Sequence, residues 1–444
     1  MGPAGVANTF THDNGHSFCD ACILAIAYLC QLAITGNYFA RSVYLQSLNF
    51  IVPLHNSSQK NIITPTPPPK DKININMIKP IPVWLDCDTG HDDAFAILLA
   101  ALHPHVKLLG ISTIYGNAPL SHTTNNTLAI LKAIGCEDIP VYAGASQPFC
   151  RPTALAPDIH GESGLDGTSC LPVPDEKPRT DDSAVEAMFK ALRNEEEGTP
   201  WLVCTGALTN AALMFAVHPE MAAHVKGLTH MGGAIGDKFT DAPMGVLKGH
   251  GDQGERFGNW TPFAEFNIYI DPESARAIFD NQILAAKTTI CPLDLTHQLL
   301  ATSTVQQDLL RGNKVGDARE TPSQVRKLFV EILTFFAQTY ADVFGLVEGP
   351  PLHDPLAVAA AFVPAIFEDN DGERFDIEII TDGAHGSSED VREGGSQCGR
   401  TVATPLPKGQ LGVRIPRSVD RQKMWRMIDE CLKRAESAPF SAEA

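Results

Sequence analysis

Four aspartates fall within eight residues, Asp86, Asp88, Asp92 and Asp93, at the point where an apolar run at 81–85 gives way to another at 95–102. Carboxylates this close raise one another's pKa unless a cation or strong donors neutralise them. A hard divalent metal held by oxygen ligands is the simplest resolution. The start of a helix also favours negative charge through its backbone dipole, but capping accounts for one carboxylate and hardly for four.

The elements that must carry these groups are a strand and the helix after it. Strand alternation puts Asp86 and Asp88 on one side and Cys87 on the other, so Cys87 reads as core and not as a nucleophile. Asp92 and Asp93 fall in the first helical turn. Further along, residues 107–114, 201–204 and 228–231 read as buried strands ending at Tyr115-Gly116-Asn117, Thr205-Gly206 and Gly232-Gly233, and 120–134 and 208–217 read as helices. Asp271-Pro272-Glu273 starts a helix with Asp as cap and Pro in the first position, and His353-Asp354-Pro355 opens 356–362 similarly. Such alternation predicts an α/β fold, an open and mostly parallel sheet with helices on both faces. Ligands in that architecture sit beyond the carboxyl ends of the strands.

With 444 residues, 44% of them hydrophobic, the chain can bury a large core. Its formal charge of -18 argues against nucleic acid or an anionic membrane as partner. Eleven cysteines, an odd and mostly scattered set, read as reduced thiols in a reducing, cytoplasmic compartment. His12, His16, Cys19 and Cys22 have zinc-like spacing without a second pair to support it. The apolar patch at 22–34 is too short to span a membrane, and Pro-rich 64–70 favours an extended linker. Residues 1–78 are therefore expected to be a disordered or spurious extension, 79–435 a catalytic domain, and 436–444 a tail.

The pattern Asp86-x-Asp88-x-Gly90-x-Asp92-Asp93-Ala94 resembles that of the calcium-dependent, inosine-uridine preferring nucleoside hydrolases, and uridine nucleosidases in character. Other segments agree in order: Tyr115-Gly116-Asn117, His160-Gly161-Glu162-Ser163-Gly164-Leu165-Asp166-Gly167, Thr205 to Asn210, Met231-Gly232-Gly233-Ala234, Gly258-Asn259 through Asn267, and His353 to Ala357. Several motifs in the right order are far more specific than one. The resemblance implies the nucleoside hydrolase fold and a Ca2+ held by Asp88, Asp93, Asp354 and the main-chain carbonyl of Thr205. It implies Asp88 as the base that deprotonates water. Asp92, Asn259, Glu265 and Asn267 would bond the ribose hydroxyls, and Met231 would lie against the sugar. Asn117 would orient the water or a metal ligand. His160 and His353 would approach the nucleobase, with His353 protonating it as it leaves.

These residue types suit the chemistry. Breaking an N-glycosidic bond creates an oxocarbenium-like ribosyl centre, which calls for an activated water, charge stabilisation on the sugar and help for the departing base. The implied substrates are small ribonucleosides, uridine before inosine, and the family habit implies a homodimer or homotetramer. Helix 325–340 would line the base side, with Gln338 or Tyr340 reaching a pyrimidine edge. Departures are Thr89, where the family often has Pro, the variable His91, and a long segment at 236–257 that reads as a mobile loop near the pocket. Asp294 reads as a structural polar residue. Two rival readings are a calcium-dependent nucleoside or ribose binder without turnover, and a magnesium-dependent aspartyl phosphatase using Asp86 and Asp88. Gly90 stands where the latter needs Thr or Val.

Overall fold

The computed structural model describes residues 79–246, 258–312, 321–385 and 396–437. The zinc-like tetrad, the 22–34 patch, the Pro-rich run and the second half of the 236–257 segment, 247–257, lie outside the described residues. Strand β1 (Ile81–Cys87) is central because all of it but Asp86 is apolar, and six of its seven residues are buried. A strand covered on both faces needs such a run rather than an alternating one. It pairs in parallel with β2 (Val106–Thr113) and with β4 (Trp201–Cys204). With β3 (Val141–Ala143), β5 (Gly227–Met231) and β6 (Thr288–Cys291) they make a six-stranded parallel sheet in the order β3-β2-β1-β4-β5-β6. The chain reverses its direction of winding between β1 and β4, which is where such sheets open a crevice beyond their carboxyl ends.

The helix after β1, α1 (His91–Leu102), starts at His91, so Asp92 and Asp93 do occupy its first turn. It is apolar nearly all round and buried accordingly. Helix α2 (Leu120–Ala133) follows β2, and α3 (Ala184–Arg193) and α4 (Thr209–Val217) flank β4. A short helix, α5 (Phe266–Ile270), leads into α6 (Pro272–Phe279), whose cap is Asp271 as the sequence predicts. Helix α7 (Gln324–Phe344) runs a turn beyond the expected 325–340 and stops at Gly345 in the left-handed conformation. Helix α8 (Asp354–Phe362) has every residue buried and packs on both α1 and β5. The closing helix α9 (Arg421–Ala435) also lies against α1. One core therefore joins α1 to α8 and α9.

A small antiparallel pair, Phe375–Ile379 with Thr401–Pro405, stands apart from the main sheet. No membrane-spanning helix exists among the described residues.

Candidate active site

The main-sheet strands that reach the crevice deliver polar groups at the carboxyl ends of β1, β2 and β4, and a methionine at that of β5. Asp88 follows β1, Asn117 follows β2, Thr205 follows β4 and Met231 ends β5. All are at least nine-tenths buried. The Asp88 loop is held by its neighbours: Thr89 Oγ1 meets Thr127 Oγ1 at 2.6 Å and Cys87 Sγ at 3.4 Å. A hydroxyl anchor thus replaces the rigidity that Pro would give. Two glycines make room. A side chain on Gly90 would overlap His160 Nδ1 and Asn117 Nδ2, and one on Gly116, at φ +157°, would overlap Asp88 Oδ2.

Carboxylates converge from opposite ends of the domain. One oxygen each from Asp92, Asp93 and Asp354 lies within 4.8 Å of the others. Asp88 stands beside this trio and not within it, close enough for its charge to act on Asp93 and Asp354. Its Oδ2 accepts from the Asn117 main-chain N–H at 2.8 Å, while its buried Oδ1 has no hydrogen-bond partner. Asp93 is fully engaged: Oδ2 accepts from Gly90 N at 2.9 Å and Asn117 Nδ2 at 3.1 Å, and Oδ1 from Thr205 Oγ1 at 2.8 Å.

Burial and mutual repulsion push the Asp88 and Asp354 carboxyls far above the ordinary 3.8 and raise Asp92 to about 7; burial raises Asp93 too. Among the described residues no lysine or arginine pairs with any of the four. An all-oxygen cage with excess negative charge and an orphaned carboxylate oxygen fits a hard dication, and Cys87, buried with its thiol pushed up, offers no competing ligand. Asp86 belongs elsewhere. It accepts from Ser112 Oγ and from Asn210 Nδ2 at 2.8 Å, tying β1 to β2 and α4.

The pocket above this cage has a cavity volume of about 50 Å3 and opens to solvent, and ten of the twelve predicted site residues line it; Asp88 and Asp93 are not among them. Glu265 caps α5, its two oxygens accepting from the main-chain N–H groups of Asn267, Ile268 and Gly233, and burial lifts it to about 7. Asn267 donates both Nδ2 protons to carbonyls, Thr205 O at 2.9 Å and Met231 O at 3.1 Å. Its Oδ1 is left as an acceptor. Asn259 Oδ1 accepts from Phe266 N at 3.0 Å, which frees its Nδ2 as a donor.

The opposite wall is aromatic. Phe336, Tyr340 and Phe344, four residues apart on α7, face inward together with Trp260. Sequence reasoning named only Tyr340 of these, although the i, i+4 spacing is visible in the chain. Tyr340 OH meets His353 Nε2 at 2.7 Å, and Thr296 Oγ1 meets His353 Nδ1 at 2.7 Å. His160 ends a one-turn helix, Pro157–His160, and its Nδ1 lies 3.1 Å from His91 Nδ1. Burial drives both His160 and His353 well below the usual histidine range. Gln338 is a correction: it points to the outer face of α7 and donates to Asp342. Asp294 anchors Ile235 N and Gly236 N, as its structural reading requires.

Relatives agree with this architecture. A uridine nucleosidase of Saccharomyces cerevisiae is 38% identical over 368 residues, 81% of this chain and 98% of that protein. A pyrimidine-specific ribonucleoside hydrolase of Shewanella sp. strain MR-4 is 39% identical over 290 residues, 65% of this chain and 80% of that one. Among solved structures, a plant nucleoside hydrolase superposes with a TM-score of 0.61 at 26% identity, covering 80% of this chain and 99% of its own. A purine-preferring ribonucleoside hydrolase from Gardnerella vaginalis has the same fold, with a TM-score of 0.63 at 24% identity over 80% of this chain and 100% of its own. With residues 83–426 matching the model of that family, the chain belongs to the inosine-uridine preferring nucleoside hydrolases.

Proposed function

We propose that this chain hydrolyses the N-glycosidic bond of ribonucleosides to free base and ribose, with uridine preferred and inosine next, and that it uses Ca2+ in the cytoplasm as a homodimer or homotetramer. The observation that carries the reading is the meeting of Asp354 with Asp92 and Asp93 under a pocket walled by aromatic side chains. An aspartyl phosphatase has no use for such a wall.

Asp88, Asp93, Asp354 and the Thr205 carbonyl would hold the ion, which when bound supplies a fixed seat for water and for sugar hydroxyls. Asp88 takes a proton from the attacking water. Its Oδ1 has no other hydrogen-bond partner to compete for that proton, and the Asn117 main-chain N–H holds its other oxygen in place. Asp92, the Asn259 amide, the second lone pairs of Glu265 and the free Oδ1 of Asn267 bind the ribose hydroxyls. Met231 lies against the sugar. His353, in its pair with Tyr340, delivers a proton to the departing base, and His160 contacts that base beside Phe336.

The test is release of free base and ribose from uridine, inosine, adenosine, cytidine and deoxyuridine, with and without a chelator. Uridine should turn over fastest, and only with Ca2+. Tight nucleoside binding without ribose would point to a binder, and full activity in metal-free protein would refute the proposal.

A further inference from the structure

His91, which does not itself line the pocket but packs behind His160 and Phe336, settles what His160 can do. The His91 ring is fully buried and lies parallel to Phe335 and Phe336, with interplanar angles of 7° and 1°. Its two nitrogens face different partners. Nε2 is 2.9 Å from the carbonyl oxygen of Asp166, and Nδ1 is 3.1 Å from His160 Nδ1.

A carbonyl oxygen can only accept, so Nε2 of His91 carries a proton. Neutral imidazole has one such proton, which leaves His91 Nδ1 bare. Two bare nitrogens at 3.1 Å would repel, so the proton between them belongs to His160 Nδ1. The alternative is a doubly protonated His91 donating to His160. That would bury a charge against two phenyl rings, while the nearest carboxylate, that of Asp166, is turned onto Ser163 Oγ and the Glu162 N–H. The His91 main-chain N–H also faces His160 Nδ1, but at 3.5 Å it is the longer contact and yields to the ring pair.

The geometry points to His91 as a positioning residue: it locks His160 as the Nδ1–H tautomer, so that His160 meets the nucleobase through a bare Nε2. This rests on the nucleoside reading of the pocket and adds two consequences. His160 is an acceptor, so the pocket selects bases that present a ring N–H, as uracil and hypoxanthine do and cytosine does not. The proton for the leaving base then comes from the His353–Tyr340 side.

The test uses the full, Ca2+-supplemented protein. Two-bond 1H–15N spectra of histidine-labelled enzyme, with His160 assigned by its loss in His160→Gln, should show a proton on Nδ1 and none on Nε2. In His91→Leu the proton should move to Nε2, whereas His91→Asn, whose amide oxygen can take the Nδ1–H, should keep the original pattern. In kinetics, wild type and His91→Asn should favour uridine over 3-methyluridine in kcat/KM by about tenfold or more, and His91→Leu should narrow that ratio. A proton on Nε2 in the wild type, or on both nitrogens, overturns the lock. Equal cleavage of uridine and 3-methyluridine by the wild type overturns the acceptor role. Uridine left intact by a protein with the expected spectrum overturns the hydrolase assignment and upholds the lock. Should His91→Leu not fold, the wild-type and His91→Asn spectra decide alone.

Discussion

Stripping the metal should make the stability of this fold fall with rising pH. Asp92 has an ordinary carboxyl value of 3.8 in the unfolded chain and about 7 in the fold, where burial and the charge of Asp93 oppose ionisation. A raised folded pKa means that the native state holds the proton more tightly. Its contribution to stability is whole below about pH 4 and is lost as pH climbs through 7. A gap of about three pK units corresponds to about 4 kcal/mol at 1.36 kcal/mol per unit. Asp88, Asp93 and Asp354 shift in the same direction and steepen the loss. Against a total of roughly 5–15 kcal/mol for a typical fold, that would lower Tm by on the order of 5–10 °C. A bound dication cancels the repulsion, so the loaded protein should respond weakly. The assay is calorimetry at pH 5, 6, 7 and 8 with EDTA or with Ca2+, and Asp92→Asn should reduce the slope of the EDTA series. A metal-free protein with a flat Tm, or a Ca2+ gain equal at pH 5 and pH 8, would refute the argument.

Other outcomes follow from the same geometry. Asp88→Asn should keep the fold by circular dichroism and lose kcat by several orders of magnitude, because the Asn117 contact can survive while the base is gone. Deoxyuridine should be cut roughly 10^4-fold less efficiently than uridine, since it leaves buried hydroxyl-binding groups unpaired; a ratio near one would remove the ribose clamp. Glu265 ionises only near pH 7 in the free pocket, so KM for uridine should fall as pH rises through 7 if its carboxylate is the acceptor of a ribose hydroxyl. Glu265→Gln should flatten that dependence in steady-state kinetics.

The sheet was legible because its central strands are continuous apolar runs that end at glycine-rich turns, and these periodicities survive in a single chain. Helix caps such as Asp271 were equally plain, since one residue and its neighbours determine them. The edge strand Val141–Ala143 carries too few residues for such a pattern, and the antiparallel strands Phe375–Ile379 and Thr401–Pro405 are not continuous apolar runs, the first alternating with acidic residues and the second carrying Thr and Pro. Polar partnerships were the least visible. Nothing local tells Asn210 to reach Asp86, or Thr296 to reach His353, because each pair joins elements that only the sheet brings together. Gln338 shows the same limit on a helix: it is two residues from Tyr340, so it sits on a different face, and a small error of register decides whether a residue meets the pocket or solvent.

The carboxylate cage couples folding to metal in a particular order. Asp92 and Asp93 ride on α1, directly after β1 in the chain, but Asp354 joins them only when α8 packs across α1 and β5. Until then no trio exists, and an unfolded chain offers the ion only scattered single carboxylates. Metal affinity is therefore a property of the completed core, and its free energy is returned as stability of the α1–α8 contact. The apolar faces of α1 and α8 must carry that contact alone while the ion is absent, against the repulsion of the groups at their ends. This is a physical reason for both helices to be apolar on every side beyond the acidic first turn.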